Sequence, residues 1–171
     1  MVGILEQVIS VLSTTPDRWE RLTTSLPQEL LRRKPASDEW SALDCLQHLV
    51  DTENGVFPVR VRHFLRGEDL PDFNPDAEGA HPGEIQPLEL ARNFNQLRTS
   101  SLKLLRNLKE GDLSRAAHHE ELGAVTLGQM LNEWAGHDLM HTVQAERALM
   151  QPFILGSGAW QPFFVDHFVE E

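Results

Sequence analysis

Cysteine and positive charge are both scarce in this chain of 171 residues. Cys45 is the single cysteine, which excludes an intramolecular disulfide and a zinc site built from several thiolates. Lysine and arginine number 15 against 26 aspartates and glutamates, a formal net charge of −11. Because binding to nucleic acid and to anionic membrane surfaces depends on basic side chains, we expect neither as a partner.

Long apolar runs and a secretory leader are also missing. No stretch approaches the roughly 18 apolar residues of a membrane helix, and the first residues lack the basic start and apolar run of a signal peptide. With one cysteine, the expected location is the reducing cytoplasm. The length and the 40% apolar fraction predict one globular domain over residues 1–171.

Most sequence motifs that carry chemistry are absent as well. The chain has no GxxxxGK[ST] phosphate-binding loop, no GxGxxG opening a helix, no HExxH zinc motif and no GxSxG nucleophile motif. These absences exclude the common nucleotide-binding, zinc-protease and serine-hydrolase patterns.

Apolar residues recur at helical spacing in four long segments and one short one. We predict helices over about 4–26, 27–33, 41–65, 87–109 and 127–150. No alternating strand pattern of any length is present. The predicted fold class is therefore all-α, a four-helix bundle.

Prolines and glycines should shape these segments. Pro16 should kink or break the first long helix, Pro58 should bend the second, and Pro152 should end the last. Residues 67–86 are rich in proline and glycine and predict a long loop, of the kind that is often part of a site. Residues 153–171 have no assignable pattern.

Histidine is the main chemical signal. His137 and His141 lie four residues apart, so both imidazoles project from one face of the last helix. They fall inside its apolar stripe, which comprises Leu127, Met130, Leu131, Trp134, Ala145, Ala148 and Leu149. One divalent ion would satisfy both buried rings; the alternative is two hydrogen-bonded core histidines.

A metal site in a bundle needs a ligand from a second helix, and His48 is the natural donor. The periodicity places His48 at the edge of that helix's core, which suits either a metal site near the mouth of the bundle or a surface histidine. Glu133 and Gln144 lie about one turn to either side of the pair and are expected to support the imidazoles or to line the opening.

Other candidates have simpler interpretations. Cys45 is expected to be a small buried side chain rather than a nucleophile or ligand. Trp40 and Trp134 are expected to serve in packing rather than in binding. His63, His118 and His119 are expected at the surface.

Several segments together resemble the DinB-like superfamily. Trp40-Ser41 followed by His48-Leu49-Val50-Asp51 resembles its first conserved segment. Gly123-Ala124-Val125-Thr126-Leu127, then His137-Asp138-Leu139-Met140-His141 and Gln144, resembles its second. The segment from Arg60 to Pro71 is similar to the family's loop entry, and the match spans most of residues 1–150 in the family's order.

The resemblance implies a four-helix bundle with up-down-down-up connectivity that is often a homodimer. It also implies a divalent ion, nickel or zinc, held by three histidines, which by position are His48, His137 and His141. Related proteins include bacillithiol- and mycothiol-dependent S-transferases and a maleylpyruvate isomerase. A low-molecular-weight thiol is therefore an expected second cofactor, and a small molecule the expected substrate.

Three neutral imidazoles leave at least one coordination position open, where a bound water or thiol loses its proton near neutral pH. The predicted function is a divalent-metal-dependent thiol S-transferase or hydrolase acting on a small electrophile. The carboxylates that could orient an imidazole or act as a base are Asp51, Glu53, Glu133 and Asp138, and the sequence does not choose among them. The alternative is a non-catalytic metal- or ligand-binding helical dimer.

Overall fold

The computed structural model describes residues 3–72 and 83–169. Its α-helices, numbered here in chain order, are α1 (Ile4–Ser25), α2 (Gln28–Arg32), α3 (Ala42–Gly55), α4 (Phe57–Arg66), α5 (Pro87–Arg106) and α6 (Leu127–Gly156). Two 3₁₀ helices (Glu110–Ser114 and Gly158–Phe164) and two strands, β1 (Ala116–His119) and β2 (Gly123–Thr126), complete the described elements.

Four helices build the core. α1 and α3 each pack against both α5 and α6, which confirms the predicted four-helix bundle. Much of the predicted loop, residues 73–82, lies outside the described residues. None of the helices in the described part of the chain is long and apolar enough to cross a membrane.

Reciprocal caps set the starts of two bundle helices. At α3, the Ser41 hydroxyl accepts the Asp44 N–H at 3.1 Å, and the Asp44 carboxylate accepts the Ser41 N–H at 2.9 Å. At α6, Thr126 and Gln129 exchange equivalent bonds at 3.3 and 2.8 Å. Because such pairs satisfy amides that a helix start leaves free, they fix where each helix begins.

The expected effects of the prolines were largely wrong. α1 continues through Pro16, which is buried, so the helix does not break there. α6 continues through Pro152 to Gly156, and buried Ile154 holds the added turn against the molecule. In both places tertiary packing outweighs the single backbone hydrogen bond that proline removes. Pro58 lies in the first turn of α4, because the chain breaks at Val56 instead of bending.

A short hairpin corrects the expectation that the chain has no strands. β1 and β2 pair antiparallel, with Ala116 opposite Thr126 and His119 opposite Gly123. Gly123 has a φ of +72°, a conformation that favours glycine at the end of the tight connection. Each strand has only four residues, too few to show an alternating pattern. The hairpin is tied to the segment after α4 by a hydrogen bond from the Leu70 N–H to the His118 carbonyl at 2.9 Å.

The segment after α6 returns along that helix. Arg147 donates to the His167 and Phe168 carbonyls at 3.1 and 2.9 Å, and Gln151 donates to the His167 carbonyl at 2.9 Å. These bonds fix the backbone of a segment to which the sequence assigned no structure.

A buried guanidinium joins all four bundle helices. Arg98 on α5 donates to Asp138 on α6 at 2.7 and 3.0 Å and to Glu53 on α3 at 2.8 Å. It also donates to the Leu12 carbonyl and the Thr15 hydroxyl on α1, both at 2.9 Å. Burial alone would lower the pKa of Arg98, but the two carboxylates outweigh it and raise that pKa. The positive charge of Arg98 is therefore permanent.

Replacing Arg98 with methionine is expected to destabilise the fold strongly. The change leaves two carboxylates in the core without their cation, and losing one partner of a buried ion pair costs about 3–5 kcal/mol. Urea unfolding followed by circular dichroism measures this loss. Arg92→Met, on the exposed side of the same helix, is the matched control and should change stability by less than about 0.5 kcal/mol. Equal stabilities of the two variants would contradict the role given to Arg98.

Candidate metal centre

Three imidazoles from two helices meet at one place in the bundle. His48 of α3 and His137 of α6 face each other with their Nε2 atoms 3.0 Å apart. His141 joins them, and one ring nitrogen from each histidine lies within 4.8 Å of the others. His48 is only 7% exposed, so it belongs to the core and not to its edge. The structure thus brings together the three residues that the sequence predicted as ligands.

Neighbouring side chains contact the rings of His141 and His137. The Nδ1–H of His141 donates to the Gln144 Oε1 at 2.9 Å, which leaves the Nε2 lone pair of that ring free. Trp40 stacks on His141 with ring centres 5.6 Å apart and an angle of 17°. Phe57 meets His137 edge-on at 5.1 Å. Gln144 therefore supports an imidazole as predicted, whereas Trp40, expected to serve only in packing, is part of the site wall.

Burial keeps these imidazoles neutral. It lowers the pKa of His48 to about 4, with a smaller contribution from His141. It lowers the pKa of His137 to about 3, again with neighbouring histidines adding to the effect. The pKa of His141 is lowered by burial too, although Gln144 and Asp138 oppose the shift. At neutral pH all three rings offer a lone pair, the form in which imidazole binds a metal.

The donor set fits a divalent ion. Ligand atoms that share a tetrahedral ion at 2.0–2.1 Å lie about 3.3 Å apart, close to the 3.0 Å between His48 and His137. Imidazole nitrogen suits zinc and nickel. In the described part of the chain, no cysteine, aspartate or glutamate joins the three histidines as a fourth ligand. Such an ion would keep at least one position for an incoming molecule.

The three histidines line a cleft of about 350 Å³. The other lining residues are Trp40, Thr52, Val56, Phe57, Arg60, Glu133 and Met140. One carboxylate, Glu133, and one guanidinium, Arg60, therefore stand in the same cleft as the imidazoles. Burial raises the pKa of Glu133, and the nearby positive charge of Arg60 opposes the rise.

Of the four candidate carboxylates, three are engaged elsewhere. Glu53 and Asp138 are ion-paired with Arg98 in the core, and Asp51 accepts a hydrogen bond from Gln47 at 2.8 Å. Of the four carboxylates, Glu133 is therefore the one whose side chain faces the cleft.

Two arginines were missed by sequence reasoning. Arg98 lies on the buried stripe of α5, so its position among apolar residues was a readable signal, as was Glu53 in the core of α3. Arg60 gave no such signal, because its place in the cleft depends on the break at Val56 and on the hairpin.

Comparison with known proteins identifies the family. The sequence pattern of the DinB superfamily matches residues 12–145, most of the chain. The chain belongs to the DinB superfamily. No curated protein sequence matches it.

Two solved structures share the DinB fold of this chain. YfiT from Bacillus subtilis, described as a probable metal-dependent hydrolase with an unusual four-helix bundle topology, is 17% identical with a TM-score of 0.74; the match covers 84% of this chain and 85% of YfiT. A mycothiol-dependent maleylpyruvate isomerase is 14% identical with a TM-score of 0.62. That match covers 85% of this chain but 63% of the isomerase. At these identities the likeness establishes the fold alone.

The single cysteine is buried and is not part of the candidate metal centre. Cys45 is fully buried, and burial, reinforced by the charge of Asp44, raises its pKa to about 12. At pH 8 roughly one thiol in 10,000 is then ionised, too few for a nucleophile. The expectation of a small buried side chain is confirmed.

Cys45 is therefore expected to resist thiol reagents in the folded protein. Mixing with Ellman's reagent at pH 8 should release colour from the native chain only at the rate of unfolding, whereas one thiol per chain should react at once in denaturant. The measurement is absorbance at 412 nm against time. Immediate reaction of the native chain would show that the thiol is accessible and ionised.

Proposed function

We propose that this DinB-superfamily protein is a divalent-metal-dependent enzyme that transfers a low-molecular-weight thiol to a small electrophile or hydrolyses it. The observation that carries the proposal is the convergence of three neutral imidazoles, without a fourth protein ligand among the described residues, in a cleft of about 350 Å³. A site built only to store an ion or to stabilise the fold has no need of a vacant position beside a cavity.

His48, His137 and His141 would hold the ion, which we expect to be nickel or zinc. When bound, such an ion lowers the pKa of a coordinated water or thiol and so supplies a nucleophile near neutral pH. Gln144, Trp40 and Phe57 fix the rings in the orientation that ligation needs.

Glu133 is the proton acceptor that we assign to the cleft. It is the carboxylate among the lining residues, and its raised pKa brings it closer to neutrality than an ordinary glutamate. A base with such a pKa is better matched to proton transfer at neutral pH. Arg60, in the same cleft, keeps the ionised form of Glu133 accessible.

The cleft favours this function over a non-catalytic module. A module would be favoured by an ion saturated with protein groups or by a centre without a cavity, and the described residues show neither. The homodimer implied by the family resemblance remains a proposal. The exposed apolar side chains of α6, including Leu139, Met140 and Val143, support it because each leaves apolar surface open to a partner.

Elemental analysis of untagged protein is expected to find about one divalent ion per chain. His137→Ala and His141→Ala should each reduce this content to near zero and leave the helical circular dichroism largely intact, because the bundle core is apolar elsewhere. His118→Ala, which removes an exposed imidazole from β1, is the control and should retain the ion. Full metal content in the variants of the triad would refute the assigned ligands.

Chelation separates a catalytic ion from a structural one. Removing the ion should lower the unfolding temperature only by the amount that ion binding adds to the stability of the folded state. The unfolding transition should remain cooperative. Complete loss of helicity after chelation would instead identify a structural ion and favour the non-catalytic alternative.

Turnover is tested with monochlorobimane and bacillithiol, mycothiol or glutathione, and in parallel with an activated ester and water. In the first reaction a sulfur–carbon bond forms, chloride leaves, and the thiol proton passes to a base. We expect metal-dependent fluorescence with at least one thiol, reduced at least about 100-fold in His137→Ala.

Glu133→Gln tests the assigned proton acceptor. It should lower kcat while leaving the metal content unchanged, since the carboxylate is not a ligand. Failure of every thiol and of the ester with fully loaded protein would contradict the enzyme and support the binding module.

A further inference from the structure

A second cavity adjoins the cleft. It has a volume of about 210 Å³ and shares Arg60 and Glu133 with the cleft, so these two side chains form the wall between them. The remaining lining is mainly apolar and includes Leu70, Leu122, Val125 and Met130, together with His119. A molecule in this side cavity would therefore touch the guanidinium that also faces the imidazoles.

Arg60 is poorly satisfied for a partly buried cation. Its Nε is buried and has no hydrogen-bond partner. Its Nη2 donates to the Pro71 carbonyl at 3.5 Å, the long limit of hydrogen bonding, and lies 3.4 Å from the His119 Nε2. Among the residues that the structure describes, no carboxylate forms an ion pair with Arg60. Arg60 is thus a partly buried cation without a strong acceptor among the described residues.

The His119 ring supplies a second unused donor at the same place. Its Nδ1 accepts the N–H of Glu121 at 3.3 Å, so this nitrogen carries no hydrogen. In the neutral imidazole the hydrogen is then on Nε2, the atom that faces Arg60. Two N–H donors 3.4 Å apart cannot bond to each other. An acceptor with two lone pairs, placed between them, would satisfy both.

We propose that Arg60 and His119 bind the carboxylate of a small monocarboxylic acid whose apolar part occupies the side cavity. Guanidinium and carboxylate match in geometry and charge. The binding claim stands on the contacts of Arg60 and His119; that the acid is the substrate or cofactor of the metal centre rests on the proposed function.

The surrounding charges favour a single negative charge. Asp72 and Glu133 both act electrostatically on Arg60, so the environment already holds two carboxylates near one cation. A phosphate dianion would meet more repulsion than one guanidinium offsets. The apolar walls likewise favour a carboxylate attached to a hydrocarbon group over a free inorganic anion.

Calorimetric titration with phenylacetate and hexanoate tests the site, with phenylacetamide as the uncharged analogue. Each titration is run on the protein as purified and again after chelation. We expect at least one of the two acids to bind in both forms, and phenylacetamide to bind at least about tenfold more weakly than phenylacetate. Binding without the ion locates the carboxylate at Arg60 and not at the metal centre.

Matched variants assign the contacts. Arg60→Gln should weaken carboxylate binding at least about tenfold. The affinity of Arg60→Lys should lie between that of Arg60→Gln and that of the parent, because lysine keeps the charge but cannot form the paired hydrogen bonds of a guanidinium. Arg62→Gln, the same charge change on the exposed side of α4, should bind as the parent does. His119→Leu should weaken binding, and His119→Gln, which keeps an N–H donor, should recover part of it.

Several results would overturn the assignment. These are equal affinity in Arg60→Gln and the parent, loss of binding on chelation alone, tighter binding of phenyl phosphate than of phenylacetate, or no binding of either acid. The proposed function fails separately, through absence of the ion or of turnover, and neither of those results affects a carboxylate that binds at Arg60.

Discussion

One buried guanidinium constrains the arrangement of the whole bundle. Arg98 reaches side chains or carbonyls on α1, α3 and α6 from its own helix α5, and it is 1% exposed. Charges in a protein interior are tolerated only when they are fully paired. A shift of α3, α5 or α6 along its neighbours would leave a carboxylate or the cation alone, and a shift of α1 would remove the acceptors at Leu12 and Thr15. The network therefore fixes the relative register of the helices that carry the histidines.

Two members of this network are close in sequence to the candidate ligands. Asp138 directly follows His137 on α6, and Glu53 lies on α3 beyond His48. Because Arg98 ties the two carboxylates together, it also fixes the backbone from which two of the three imidazoles project. The core therefore holds the candidate ligands in place. The other side chains that line the cleft are available to contact a bound molecule.

Predictions from the sequence were reliable where the residues of one helix determine its structure. The caps at Ser41 and Thr126 and the apolar stripe of α6 are set by nearby residues, and the structure has the stripe as predicted. Prolines were misjudged because their effect depends on what the rest of the chain packs against them. The hairpin was missed because pairing partners in strands of four residues leave almost no pattern.

The histidine triad could be predicted from spacing and resemblance, whereas its setting could not. His48 was assigned to the edge of its helix because the periodicity was taken through residues 41–65 as one helix. The break at Val56 divides that segment, and His48 is buried because the rings of Trp40, His137 and His141 pack against it. Trp40, Phe57 and Arg60 come from separate elements and become neighbours of the imidazoles only in three dimensions.

The break at Val56 has a consequence for how this scaffold divides its tasks. The helix before it carries His48 and the core carboxylate of Glu53, and the helix after it contributes Phe57 and Arg60 to the wall of the cleft. One candidate ligand and two wall residues therefore lie on opposite sides of the break, while His137 and His141 come from α6. A substitution in α4 would alter the wall of the cleft without changing the helix that carries His48.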